Sequence, residues 1–385
     1  MSQLEIRATY MRGGSSKGVF FLAGDLPDDP AARDALLLRL VGSPDPFGTQ
    51  MDGMGGATSS TSKVVIIGPS SRPGYDVDYL FGAVAIDRPV IDWSGNCGNL
   101  SAAVGPFAIS RGLVKAEGEG RATVRIWQAN IGAAILAQVP IKDGRVVEEG
   151  VFVLDGVAFP AAEIVLEFLD PSGSEGGGAE VAMFPTGRLR DALPLPDGSI
   201  EATLINAGIA TVFVRAADLG LEGTELPAAL NARRDLLDRF EAIRAAGAVA
   251  MGLATKAEEA TRLRPHSPKL ALVARPASYL TTAGKRVEAS DMDLATRIVS
   301  MGKVHHAMTG TGGVALAVAA AVPGSLVAEF AGARPGGMLR FGHPAGTMRV
   351  GAEVERRGET WVARKAVMSR SARRLMEGFV LVPVS

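Results

Sequence analysis

The sequence predicts an α+β protein of two similar halves, each a strand-rich sheet with one buried central helix. Three observations carry this reading. Short β-branched or alternating runs bounded by Gly, Pro, Asp or Asn are numerous, and helical patterns are few. The 47 glycines and 22 prolines beside only 5% aromatic residues speak for turns and close backbone approaches, against a helical bundle. Finally, one local design occurs twice. Ser94-Gly95-Asn96-Cys97-Gly98-Asn99 leads into Leu100-Ser101-Ala102-Ala103-Val104-Gly105, and Met308-Thr309-Gly310-Thr311-Gly312-Gly313 leads into Val314-Ala315-Leu316-Ala317. Both are Gly-rich turns feeding small, apolar, helix-forming runs. Their recurrence about two hundred residues apart implies a duplicated architecture with a helix N-terminus exposed at each turn.

Strands are expected at Val19–Leu22, Val64–Ile67, Ala83–Ile86, Thr123–Trp127, Ala133–Val139, Val165–Phe168, Ala202–Ile205, Thr211–Val214 and Leu270–Val273. Helical spacing predicts helices over Asp29–Val41, Asn99–Arg111, Glu225–Ala245, Asp293–Met301 and Gly312–Ala321. The Gly/Ser-rich stretch Pro171–Glu180 reads as a mobile loop, and the turn-rich Pro185–Gly198 as an interdomain crossing. The boundary is therefore placed near residue 190, giving domains 1–190 and 191–376.

A chain of 385 residues fits two domains of ordinary size, and 47% apolar residues can bury a substantial core. With a formal net charge of −1, no global field draws the protein to nucleic acid or an anionic membrane. Any anionic substrate must be held by local features. One cysteine, Cys97, excludes an intrachain disulfide framework and fits a reducing compartment. The N-terminal residues lack an apolar signal-peptide core, and the longest small-apolar stretch, Gly312–Val322, is too short to span a bilayer. A cytoplasmic location is the expectation.

The repeated turn suggests a chemistry. A helix N-terminus offers unpaired N–H groups and partial positive charge, and glycines let an anion approach the backbone. Two such termini facing each other would hold two carboxylates without an excess of Lys or Arg. A thiol at such a turn is a candidate proton-transfer group, although a lone cysteine is as readily a small buried hydrophobe. Lys63 closes the polar stretch Gly53–Ser62 and opens an expected strand. A partly desolvated lysine there can act as a base, and a solvated surface lysine is the alternative. The P-loop pattern is excluded, because Ser62 stands where glycine is needed and no helix follows Lys63. A second Gly/Ser loop, Arg12–Gly18, either presents donors to a carboxylate or is simply a tight turn. Gly310-Thr311-Gly312-Gly313-Val314-Ala315 matches a dinucleotide fingerprint with Glu329 downstream, but the segment before it is no apolar strand. His266, His305, His306 and His343 form no recognised ligand spacing, so neither a metal nor a cofactor is expected. The pair His305–His306 flanks the second turn.

Several segments resemble the PrpF family, the 2-methylaconitate cis-trans isomerases. They are Met11–Gly18, Asp52–Lys63, Asp92–Asn99, Trp127–Gly132, Met183–Gly187, Phe341–Pro344 and Met368–Arg373. The likeness runs essentially end to end; the wider family includes 4-oxalomesaconate tautomerases and methylitaconate isomerases. The resemblance implies a diaminopimelate-epimerase-like fold, with the active site between two pseudo-symmetric domains and the final strand, Glu377–Ser385, returned to the first. It also implies that Lys63 is the catalytic base and that Cys97 is the cysteine at the first helix terminus. The second cysteine of diaminopimelate epimerases is replaced here by Thr309, next to Met308, which places alkene proton shift ahead of amino-acid racemisation. Ser16, Asn96, Gly98, Asn99, Arg275, Met308, Thr309, Gly310 and Thr311 are the expected substrate contacts. The expected partner is a small polycarboxylate, with no nucleic acid and no membrane, and a homodimer is left open.

Overall fold

A computed structural model describes residues 3–173, 182–332 and 337–383. Most of the loop expected at Pro171–Glu180 lies outside the described residues. The chain divides into unit 1, residues 1–166 and 370–385, and unit 2, residues 167–369.

Unit 1 contains β1 (Gln3–Gly13), β2 (Ser16–Leu22), α1 (Pro30–Val41), β3 (Lys63–Pro69), β4 (Val77–Val84), β5 (Ile91–Asp92), α2 (Ser101–Ser110), β6 (Gly120–Gln128), β7 (Ala133–Lys142) and β8 (Arg145–Val146). Helix α1 is punctuated as its sequence dictates: Asp29 caps the Ala32 amide at 2.8 Å, Pro30 opens the helix, and Gly42 ends it in the left-handed region. Its apolar stripe, Leu37, Leu40 and Val41, packs on Val64 and Ile66 of β3 and on Ile6 and Ala8 of β1. Successive strand residues point to opposite faces, so Lys63 and Val65 face the other way, toward α2. Phe20 of β2 meets Phe107 of α2 on that face, with ring centroids 5.7 Å apart. Helix α2 is buried almost all round, as a central helix must be.

β9 (Ile164–Leu169) carries the chain across the boundary. Unit 2 then holds β10 (Asp191–Leu195), β11 (Gly198–Ala207), β12 (Ile209–Arg215), α3 (Pro227–Asn231), α4 (Arg234–Ala250), α5 (Ala257–Leu263), β13 (Lys269–Ala274), β14 (Tyr279–Leu280), β15 (Arg286–Val287), β16 (Leu294–Ser300), β17 (Lys303–Val304), α6 (Gly310–Ala321), α7 (Leu326–Ala331), β18 (Met338–His343), β19 (Gly346–Arg357) and β20 (Thr360–Arg370). Leu236, Phe240 and Ile243 of α4 pack on Leu204, Val212, Leu270 and Leu272 of the sheet. Helix α6 takes the opposite face, with all twelve residues buried. The chain finally returns as β21 (Ala372–Pro383), which pairs antiparallel with β1 in unit 1.

The two units repeat one topology. In unit 1 the order β21-β1-β2-β3-β4-β6-β7 is antiparallel, antiparallel, parallel, antiparallel, parallel, antiparallel. In unit 2 the order β10-β11-β12-β13-β16-β18-β19 gives the same series. A two-residue strand, β5 or β17, folds back on β4 or β16 just before the central helix of each unit. The duplication read from the two Gly-rich turns is thus present in the whole strand plan.

Three expectations need correction. The boundary near residue 190 falls inside unit 2, because the turn-rich Pro185–Gly198 leads into and forms the β10–β11 hairpin. Asp293–Met301 is strand β16: Leu294 and Ile298 have helical spacing, but every residue of Leu294–Ser300 is buried, as in a strand covered on both faces. The long helix over Glu225–Ala245 is two helices, broken between Asn231 and Arg234.

The dinucleotide-like glycines of α6 have a packing explanation. A Cβ on Gly312 would lie 2.3 Å from Ile298 Cδ1 and 2.5 Å from Thr309 Oγ1. Gly312→Ala is therefore expected to cost about 1–3 kcal/mol of stability through overpacking, read as a lowered Tm. Glu329, the expected ribose acid of that fingerprint, instead pairs with Arg190 and Arg215. Among the described residues no helix is long and apolar enough to cross a membrane.

Candidate active site

Lys63 and Cys97, separated by 34 positions in sequence, meet within unit 1: Lys63 Nζ donates to Cys97 Sγ at 3.2 Å. Both side chains are buried, with 7% and 6% exposure. Lys63 reaches this point because it is the first residue of β3 and faces α2, where its Nζ also lies 5.0 Å from the centre of the Phe81 ring. The preceding polar stretch is held by hydrogen bonds to Gln50. Gln50 Oε1 accepts from Ala57 N at 2.9 Å and from Ser62 Oγ at 2.5 Å, tying the loop down next to Lys63.

Cys97 is placed by the turn between β5 and α2. Asp92 accepts from the Ser94 amide at 2.8 Å, and Asn130 donates to Trp93 O at 2.7 Å while bonding both backbone groups of Phe81. Asn130 thereby clamps the start of this turn to β4. Ser101 N and Ser101 Oγ both donate to Cys97 O, at 2.9 and 3.1 Å, joining the turn to the helix. Tyr79 OH also donates to that carbonyl at 3.4 Å. Burial, and secondarily Cys97, hold its hydroxyl well above the usual tyrosine range, so it remains a neutral donor.

The loop Arg12–Gly18 packs on the same helix tip. Gly14 adopts φ +52°, and a Cβ there would lie 2.5 Å from Asn99 Oδ1, so only glycine fits without strain. Asn99 donates to Ser15 Oγ at 3.1 Å and accepts from Arg370 Nε at 3.0 Å. Ser16 is buried, and among the described residues its Oγ has no hydrogen-bond partner, which suits a group that meets a ligand. Ser371 Oγ is in the same condition.

Arg370 is the residue the sequence reading missed. Its segment, Met368–Arg373, stood out as a motif, but an arginine is by default a surface group. Here it is 1% exposed. Burial pushes its guanidinium down to about 10, opposed by the attraction of Cys97, and it stays a cation at neutral pH. The tip of α2 thus gathers an amine, a thiol, a guanidinium and the first amides of a helix, a set suited to binding a carboxylate and moving a proton beside it.

In unit 2, Met308, Thr309, Gly310 and Thr311 form the tip of α6. Thr309 Oγ1 accepts from Gly312 N at 3.2 Å, so its side chain serves as the N-cap. His305 accepts from Ala307 N at 3.1 Å and stacks on His306, with centroids 4.5 Å apart. Arg275 does not join this group. It is exposed just beyond the C-terminal end of β13, whereas the α6 tip follows from the opposite end of the neighbouring β16.

The family model described as PrpF protein matches residues 3–383. A 2-methyl-aconitate isomerase of Shewanella oneidensis is 57% identical, over 99% of this chain and 98% of its own. The crystal structure of a methylitaconate-delta-isomerase superposes with TM-score 0.76 at 37% identity, covering 99% of this chain and 96% of that one. A probable proline racemase from Agrobacterium radiobacter, at 14% identity and TM-score 0.55 over 99% and 93% of the two chains, shares the fold alone.

Proposed function

Since the chain belongs to the PrpF family and is an isomerase of the diaminopimelate-epimerase-like fold, we propose that it interconverts the cis and trans forms of 2-methylaconitate by proton transfer. The observation that carries this reading is the buried Lys63–Cys97 contact of 3.2 Å at the tip of a central helix. Lys63, as the free amine, takes a proton from the methylene carbon that is activated by the adjacent alkene and carboxylate. The electron pair delocalises through the old double bond onto carboxylate oxygen. That bond becomes single, rotates, and re-forms as the proton returns to the methylene carbon. Cys97 shuttles the proton or holds the amine in line. Arg370, Ser16 and the amides near Gly98 and Asn99 hold the carboxylates and the developing charge; a preorganised donor of this kind contributes roughly 2–4 kcal/mol. On the same reading the enzyme serves propionate catabolism in the cytoplasm and works without a metal or organic cofactor.

Incubation with 2-methylaconitate in heavy water is expected to give the other geometric isomer with deuterium on the methylene carbon. A product free of deuterium would count against proton abstraction, and faster turnover of 4-oxalomesaconate would move the substrate assignment to keto-enol tautomerisation. Cys97→Ala is expected to retain part of the wild-type kcat.

A further inference from the structure

Two segments of unit 1 that lie far apart in sequence carry the groups at the tip of α2. The β1–β2 turn brings Ser15 to Asn99, whose Nδ2 donates to Ser15 Oγ at 3.1 Å. The corner between β20 and β21 brings Arg370 to the same side chain, with Nε donating to Asn99 Oδ1 at 3.0 Å. Arg12, the next-to-last residue of β1, clasps these two segments a second time. Its Nη1 donates to Gly14 O and to Ser371 O, at 3.0 Å each, and Gly14 N donates to Ser371 O at 2.9 Å. The two clasps come from opposite faces of the sheet. Alternation along β1 puts Arg12 on the side of Ala8 and Tyr10, which pack with α1, whereas Asn99 leads into α2. Ser16 and Ser371, one beside each end of the stitch, are buried, and among the described residues neither hydroxyl has a hydrogen-bond partner.

We propose that Arg12 is a positioning residue for carboxylate binding at the tip of α2. By joining Gly14 O to Ser371 O it sets the spacing between the Ser15–Ser16 turn and Arg370, and so between the donors that meet the substrate. The position does not favour a cation on other grounds. Lys17 and Arg373 lie directly opposite on the neighbouring strands, and like charges so placed destabilise a sheet. Burial, and secondarily Arg373, lower the guanidinium from the ordinary arginine value, against the attraction of Glu148. What an arginine supplies here is a rigid fork with two hydrogens on one nitrogen, aimed at two carbonyls. The inference rests on the polycarboxylate reading of the substrate but does not depend on turnover.

Calorimetric titration of the full chain with tricarballylate, a polycarboxylate that cannot isomerise, tests it. Arg12→Met loses both bonds and is expected to bind about tenfold more weakly or worse, the scale of a small misplacement of binding groups. Arg12→Lys keeps donors for both carbonyls and should stay within about threefold of the wild type. Placed in an Arg370→Lys background, Arg12→Met should cost only about threefold or less, because the guanidinium it positions is already gone. A purely structural arginine would lower Tm in both backgrounds without this coupling. Where Arg12→Met does not fold, Arg12→Gln supplies the same comparison. Wild-type affinity in either folded variant overturns the proposal, as does a penalty that persists undiminished beside Arg370→Lys. If 2-methylaconitate is not turned over but the binding pattern holds, the role of Arg12 stands and only the substrate assignment falls. A wild type that binds no tricarballylate overturns both.

Discussion

Replacing Lys63 with methionine is expected to lower kcat/KM for 2-methylaconitate by about 10³-fold or more, with the circular dichroism spectrum unchanged. The scale is that of removing a positioned general base, typically 10²–10⁴. The loss should fall on kcat, because the proton is moved in the transition state, whereas carboxylate binding belongs to other groups. Deuterium incorporation from heavy water should vanish with it. Because Met fills similar volume beside Phe81 and Cys97, misfolding is not the expected cause. A Lys63→Met enzyme with wild-type kcat would remove the amine from the mechanism altogether.

The second large effect is expected at Arg370. Its guanidinium is buried and donates to Asn99 Oδ1, so Arg370→Ala removes both a cation and a donor from the α2 tip. Loss of a buried hydrogen bond to a charged group costs about 1.5–3 kcal/mol. Steady-state kinetics should show KM for the polycarboxylate raised by about 10²-fold, together with a lower Tm. Arg370→Lys keeps the charge but loses the planar fork, and should fall between the two. An unchanged KM in a folded Arg370→Ala enzyme would mean that the guanidinium serves only to brace Asn99.

How far the sequence could be read follows from how each residue is used. The central strands were legible because Val64–Ile67, Thr211–Val214 and Leu270–Val273 are apolar, β-branched runs between turn residues. Strands such as β19, β20 and β21 were not, since Arg and Glu are interspersed through Gly346–Arg357, Thr360–Arg370 and Ala372–Pro383 and no clean alternation survives. β16 misled in the opposite sense: burial on both faces erases the period of two that marks a strand. In the candidate site, Cys97 and the tip of α2 were visible as a local pattern. Lys63 was one lysine among many until the resemblance singled it out. Arg370 meets Asn99 from 271 positions away, a pairing no local window contains. Arg275 was expected at the site and lies on the surface instead.

The return of β21 to β1 has a consequence for how the protein is made. The two strands join Gln3 to Pro383, nearly the full length of the chain. At roughly 5–20 residues per second, the partner of β1 leaves the ribosome about twenty seconds to more than a minute after β1 itself. Until then the first-made unit has an open edge and lacks Arg370 beside Asn99. The half that is synthesised first is therefore the half that matures last, and a nascent chain completes the α2 tip only once Arg370 and β21 have emerged.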